Sequence, residues 1–430
     1  MTGITAQVCR FVCNLQLADA SEELVRIAKR HILDSCGVML AGRREAAAQL
    51  AAGLSGDAAF LLGLRGHLLD YDDTQLSTRP EAVYGLLTHP SVPVLAAALS
   101  AEPDASGTQL LEAFIAATEA ECRIADAIDP RHYRDGFHSS GTVGTLGAAL
   151  AAARCMGLDL PTTAVALGIA GSSAAGLREN FGTMTKSLHV GRAAQHGVEA
   201  ARLARAGWTA AMDILEAPRG FFRAFGGGFE WVGDLGQPFF YLRPGVSIKP
   251  HPSGSLSHPA MWVMLNLVQQ HDLKPEAVEK VTVGVNSHIP NALIHHRPKD
   301  ALAARFSMEY AIATILLRRQ AGLSEYTDEA VRDPAIQELL PKIEMVVDKK
   351  AEKAGYHRML TRLTVTLHRR LRRTLRAEGD TAPMTDDEVA GKFEECARWA
   401  AVKDGGARIR GMVENLENLK SVKELCRALL

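Results

Sequence analysis

Lysines, histidines and acidic residues gather at five points where the neighbouring residues are small or apolar. Asp70-Tyr71-Asp72-Asp73-Thr74 sets three carboxylates within four positions. Repulsion makes that crowding costly unless solvent, a metal or a cation relieves it; the bland alternative is an exposed acidic turn capping the next helix. Thr88-His89-Pro90-Ser91 puts an imidazole before the apolar run VPVLAAAL, with Pro suited to a first helical turn. Gly136-Phe137-His138-Ser139-Ser140-Gly141-Thr142 brackets one His with glycines and hydroxyls at a helix start. Backbone N–H groups there suit a carboxylate, beside a side chain that titrates near neutrality. In the run 182–191, Lys186 and His189 are three apart on one helical side, between Ala/Gly-rich helices expected to be buried. Finally, two prolines fix the chain around Lys249 and His251 in IKPHPSG, with His258 beyond. Lysines pair with carboxylates, and His or Asp moves protons, so the set suits a small polyanionic substrate.

Other chemistries lack their residues. No GxGxxG follows a strand, and no Walker loop, GxSxG elbow, HxxxH or HExxH occurs. The seven cysteines (9, 13, 36, 122, 155, 396, 426) form no CxxC pair, so neither a disulfide framework nor a zinc ribbon is indicated. The expectation is no metal and no cofactor.

Positioning these residues requires a large core. The 430 residues suffice for two or three domains. With 48 Lys+Arg against 49 Asp+Glu, the net charge of −1 offers no global field for nucleic acid or anionic lipid. No run of 18 uncharged apolar residues exists, and the first residues lack a basic stretch leading into an apolar one. Neither a nucleic-acid nor a membrane partner is expected, and a cytoplasmic location is. Helical periodicity and caps predict helices over 23–42, 45–52, 105–127, 141–156, 160–174, 189–207 and 210–216. The Gly/Phe-rich stretch 219–245 breaks the pattern. Alternation then predicts strands at 278–286, 343–348 and 363–368, interleaved with helices at 259–270, 306–318 and 327–340. Thr385-Asp386-Asp387-Glu388 starts a last helical region. The fold class is therefore mainly α with an inserted α+β domain: an all-helical domain from both chain ends (1–242 and 391–430), and a smaller α+β domain (243–390).

Six stretches carry a resemblance: DYDDT, THPSVPVLAAAL, GFHSSGTVGTLGAALAAAR, LRENFGTMTKSLHVGRAAQHGVEAARLARAGWTA, IKPHPSG with HPA, and PMTDDEVAGKF. The chain resembles the MmgE/PrpD family, which includes 2-methylcitrate dehydratase, cis-aconitate decarboxylase and iminodisuccinate epimerase. The resemblance implies a homodimer whose α+β part is a lid, with the site between the two domains. It also implies a pocket containing Asp70, Thr74, His89, His138, Lys186 and Lys249. The shared chemistry is proton transfer at a carbon alpha to a carboxylate, with the charge that develops stabilised by preorganised cations. On this footing Lys186 and Lys249 clamp carboxylates, His138 moves the proton and His89 is the partner acid. Asp70 orients a His, and Thr74 holds the substrate.

Three departures from the family pattern stand out. Gly254 occupies the place of a further catalytic His of the decarboxylase, five residues after Lys249; His251 is the nearest substitute as a substrate-binding imidazole. The segment 75–87 is long and is expected to reshape the mouth of the pocket. Only Arg305-Phe306-Ser307 hints at a family run at 299–308. The expected function is a cofactor-free hydro-lyase of the 2-methylcitrate dehydratase type. The alternatives are a dicarboxylate epimerase, a carboxy-lyase and, last, a non-enzymatic helical scaffold.

Overall fold

A computed structural model describes residues 2–79, 87–368, 374–380 and 383–430. Residues 80–86, in the segment expected to reshape the pocket mouth, lie outside the described residues. The chain divides into two compact units. One holds residues up to 78, 87–248 and 385–430; the other holds 79 and 249–384.

The first unit is a helical bundle. Its helices begin where side chains satisfy the orphan N–H groups of the first turn. Ser21 caps Glu22–Gly42, Asp57 caps Ala58–His67, Asp159 caps Leu160–Ser173 and Thr183 caps Met184–Arg205. Ser106 with Gln109, and Thr385 with Glu388, form capping boxes for Gly107–Ala127 and Asp386–Trp399. Each cap contributes about 1 kcal/mol. Met184–Arg205 packs on both Ser139–Cys155 and Ala58–His67, and Asp386–Trp399 packs on Glu22–Gly42. That last helix runs across the 390/391 boundary expected from sequence. Two short strands, β1 (Thr74–Gln75) and β2 (Val246–Ser247), pair antiparallel, Thr74 opposite Ser247.

The second unit is built on a sheet of β3 (Val278–Val285), β4 (Ile343–Val347), β5 (Thr361–Leu367) and β6 (Thr374–Gly379), in the order β4-β3-β5-β6. β3 and β4 are parallel and the other neighbours antiparallel. A parallel pair needs a long crossover; here it carries the Met308–Arg318 helix, which packs with His258–His271.

The structure departs from the sequence expectations at several places, among them the unexpected helices Ala58–His67 and Phe221–Gly226. Met184–Arg205 begins five residues before the expected 189, so Lys186 lies within the helix. The helix expected over 210–216 is absent. Leu215 donates its N–H to Thr5 Oγ1, and Glu216 accepts from the Thr5 N–H and hydroxyl, which draws the chain onto the first helix instead. The 327–340 helix is split into Asp328–Val331 and Pro334–Leu339, because the residue before a proline disfavours helical geometry. β6 is an unexpected strand, with Arg376 and Glu378 among its exposed positions.

Candidate active site

The Ala58–His67 helix ends in a tight reversal that carries the three acidic residues. Asp70 has φ 51, a left-handed conformation that costs a non-glycine residue about 1–3 kcal/mol. Asp70, Asp72 and Asp73 are all buried, which excludes an exposed acidic turn. Their repulsion is relieved one carboxylate at a time. Lys186 Nζ donates to Asp70 Oδ1 at 2.5 Å. His67 Nδ1 lies 2.7 Å from Asp72 Oδ2, with His89 Nδ1 at 3.7 Å. His31 Nδ1 lies 2.7 Å from Asp73 Oδ2, which also accepts from the Ser91 hydroxyl. Asp73 Oδ1 accepts from the Ser91 N–H at 3.3 Å, so this carboxylate caps the Ser91–Ala101 helix from a distant stretch of chain. Burial pushes the Asp73 pKa up. The His31 hydrogen bond and charge, the Ser91 hydroxyl and His89 together outweigh it, and the group sits below the ordinary carboxylate value.

Imidazoles line the other side of this turn. His89 Nδ1 is 2.5 Å from the Asp73 carbonyl oxygen. A carbonyl only accepts, so Nδ1 bears the hydrogen and Nε2 is the exchangeable nitrogen. The His67 ring lies between His89 (centroids 4.9 Å apart) and His138 (5.6 Å). His138 is the N-cap residue of Ser139–Cys155, its own N–H bound to the Gly176 carbonyl at 3.0 Å. Its Nδ1 lies 3.0 Å from His189 Nδ1, so the two rings share one proton there. Gly176 has φ 143, and a Cβ on it would come within 3.2 Å of the His189 ring. Burial holds the His138 pKa well below its ordinary value. The neighbouring His67, Lys186, His189 and His89 charges act in the same direction. His189 is lowered by burial and by Lys186.

Packing of small residues brings these side chains together. A Cβ on Gly63 would lie 2.8 Å from the Val190 carbonyl oxygen, and one on Gly191 2.8 Å from that of Phe60. The two glycines let Ala58–His67 and Met184–Arg205 touch backbone to backbone, which carries Lys186 to Asp70. Ser187 Oγ donates to the His67 carbonyl at 3.1 Å across the same contact. Beneath the His138 loop, His132 is buried with Nε2 2.8 Å from Thr142 Oγ1, and its ring stacks on Phe137. Burial pushes the His132 pKa down to about 4.

Of the residues singled out from sequence, the first unit brings together Asp70, His89, His138 and Lys186, with Thr74 buried on β1. Lys249 and His251 belong to the second unit. Lys249 is buried there, and His251 Nδ1 lies 2.9 Å from the Ala321 carbonyl oxygen, its ring edge-on to His258. Gly254 donates its N–H to the Arg305 carbonyl at 2.8 Å, and a Cβ on it would meet Leu293 at 3.2 Å. Sequence reasoning passed over His67, His31 and the separate partners of Asp72 and Asp73. The available signal was a His five residues before Asp72, at the end of a helix. His67, Asp72 and His89 hold donor atoms within 4.8 Å of one another, the one such group among the described residues that could hold a metal ion. Zinc requires ligands at about 2.0–2.2 Å and usually a fourth donor. The 2.7 Å His67–Asp72 separation is that of a hydrogen bond, and His89 Nδ1 is committed to a carbonyl, so the group fits proton sharing better.

Buried imidazoles beside a lysine–aspartate pair suit acid–base work on a carboxylate substrate, the chemistry that the sequence blocks imply. Comparison with known proteins agrees with that implication. Residues 54–233 match the MmgE/PrpD N-terminal domain, and residues 251–418 match the MmgE/PrpD C-terminal domain. Similar proteins include cis-aconitate decarboxylase of Mus musculus, 28% identical over 100% of this chain and 94% of the relative. That of Homo sapiens is 27% identical over 99% and 94%, and one from Aspergillus terreus 24% identical over 75% and 71%. The two matched domains follow one another through most of the sequence and contain the quoted blocks except Ile248-Lys249-Pro250, which falls between them, and on that basis the chain belongs to the MmgE/PrpD family.

Proposed function

We propose that the chain is a lyase that removes water from a small di- or tricarboxylate, in the manner of a 2-methylcitrate dehydratase. In this reaction the C–H bond alpha to a carboxylate breaks and its proton passes to His138 Nε2. The electron pair forms the carbon–carbon double bond. The C–O bond of the neighbouring hydroxyl breaks, and the oxygen leaves as water with a proton from His89 Nε2. For His138 Nε2 to accept, its Nδ1 must bear a hydrogen and donate it to His189 Nδ1. Lys186 pairs with a substrate carboxylate, and Thr74 contributes a polar contact. The carboxylates also offset the cationic surroundings of His138 and lift its basicity when substrate binds.

The observation that carries this reading is His138, a buried neutral imidazole whose Nδ1 meets His189 at 3.0 Å beside the Lys186–Asp70 pair. A second reading, loss of carbon dioxide, is favoured by the mammalian relatives, which are cis-aconitate decarboxylases and match almost end to end. Gly254 weighs against it, since a glycine stands where the resemblance implies the decarboxylase's His. Proton NMR in heavy water separates the readings, using 2-methylcitrate, citrate, cis-aconitate and iminodisuccinate. The expected result is loss of water from a hydroxy acid: with 2-methylcitrate, whose alkene carbons bear no hydrogen, the methyl doublet collapses to an allylic singlet, and with citrate a vinylic signal appears. Carbon dioxide release from cis-aconitate supports the second reading instead. Deuterium entering a stereocentre without net change marks an epimerase, and no exchange or turnover with any of the four overturns acid–base chemistry on this substrate class.

A further inference from the structure

The PMTDDEVAGKF block near the C-terminus is not used by the chemistry above, yet one of its residues reaches the acidic turn. Lys392, on Asp386–Trp399, is buried among three partners. Its Nζ donates to the Tyr71 carbonyl at 2.7 Å, lies 2.6 Å from Asp34 Oδ1, and sits 3.9 Å from the centre of the Tyr71 ring. One turn further along, Glu395 Oε2 accepts from the Tyr71 hydroxyl at 3.3 Å. Tyr71 is thus held at its carbonyl, its ring face and its hydroxyl by a single helix 321 residues away.

Tyr71 stands between Asp70, whose backbone is left-handed, and Asp72. A left-handed aspartate persists only where the surroundings over-determine it. Lys186 fixes the Asp70 side chain and His67 that of Asp72, but neither fixes the peptide between them. The Lys392 ammonium does, at the Tyr71 carbonyl. Asp34 supplies the countercharge that makes a buried ammonium tolerable.

We propose that Lys392 is a positioning residue. By pinning the Tyr71 peptide, it sets the directions of the Asp70 and Asp72 carboxylates toward Lys186 and His67. The importance of that aim for turnover rests on the function proposed above; the brace itself does not.

The competing role is a structural one, in which Lys392 merely neutralises Asp34. The single variant Lys392→Met strands a buried carboxylate and is expected to melt early on either account, so the decisive protein is the double variant Asp34→Asn with Lys392→Met. Three readouts apply to the full-length chain: the melting midpoint, amide hydrogen exchange over residues 70–73, and the downfield imidazole N–H signal of the His67–Asp72 hydrogen bond. The expected result is a midpoint close to that of the wild type, exchange over 70–73 faster by about tenfold or more, and a shifted or lost His67 signal. Citrate, used as a binding probe, should then bind more weakly to the double variant. Wild-type exchange and an unchanged His67 signal in the folded double variant would overturn the proposal. Failure of wild-type protein to bind citrate would count against the functional reading alone, since exchange and the imidazole signal decide the brace without it.

Discussion

His138 and His132 lie six residues apart, and burial depresses both pKa values, yet they serve different ends. His138 faces Lys186 and His189, and as the general base it would contribute about 10²–10⁴-fold to the rate. His138→Gln should therefore lower kcat by that range while leaving the melting temperature within a few degrees; turnover near the wild-type rate would remove His138 from the reaction. Because burial and then cationic neighbours depress it, removing the Lys186 charge should raise its pKa. Imidazole NMR titration of Lys186→Met should show that rise. His132 is instead a structural imidazole, held by Thr142 and stacked on Phe137. Unfolded, it protonates near 6.5; folded, it resists until about 4. Its contribution to stability is thus intact above pH 6.5 and falls as the pH drops from 6.5 to 4, by a total on the order of 3 kcal/mol. Replacing it with Phe should narrow the stability gap between wild type and variant over that window. Urea melts at pH 7, 6 and 5 test this, and a gap independent of pH would assign the acid sensitivity elsewhere.

Helices aim these side chains, and the aim depends on contacts too close for any side chain. Gly63 on one helix and Gly191 on the other admit no Cβ without meeting backbone carbonyl oxygen at 2.8 Å. Overpacking of this kind costs roughly 1–3 kcal/mol. Gly63→Ala should lower the melting temperature by several degrees and, by spreading the two helices, cut turnover more than stability alone explains. A stable variant with full activity would show that the Lys186–Asp70 pair tolerates the shift. Element by element, the sequence was legible where local signals and tertiary structure agree. The helices expected over 105–127 and 160–174 stand at Gly107–Ala127 and Leu160–Ser173. It was misleading where a distant partner wins: the helix expected over 210–216 gives way to the hold of Thr5 on Leu215 and Glu216. The site divides in the same way. His138 and Lys186 stand in unusual surroundings of glycines and hydroxyls, so their chemistry shows in one dimension. His67 and Lys392 look ordinary in sequence, a His in an apolar helix and a Lys in a charged one, and only packing reveals Asp72 and Tyr71 as their partners.

At the scale of the molecule, the first unit is closed by its own C-terminus. Residues 385–430 return after the second unit, and their contacts are with residues read hundreds of positions earlier. Asp386–Trp399 lies on Glu22–Gly42, with Val389, Phe393 and Cys396 buried in the contact and Lys392 paired to Asp34. Further along, Gly107 donates its N–H to the Leu419 carbonyl at 2.8 Å, Val422 donates to that of Ala105 at 2.9 Å, and Arg65 reaches the Leu430 carbonyl at 3.0 Å. Leu425 and Leu429 are buried as well. A chain ending at 384 would expose the apolar face of Glu22–Gly42 and leave Asp34 a buried carboxylate without its cation, a loss of several kcal/mol from the ion pair alone. That approaches the whole stability of a typical domain, about 5–15 kcal/mol. The expected outcome is loss of cooperative melting in the first unit and rapid proteolysis within 22–42, while β3–β6 and their helices keep their own amide protection. Circular dichroism, limited proteolysis and hydrogen exchange on the truncated chain measure each part. A cooperative transition at the wild-type temperature would mean that residues 2–78 and 87–248 form a finished core by themselves. In that case the return of the chain after the second unit would serve the acidic turn, through Lys392, more than the stability of the bundle.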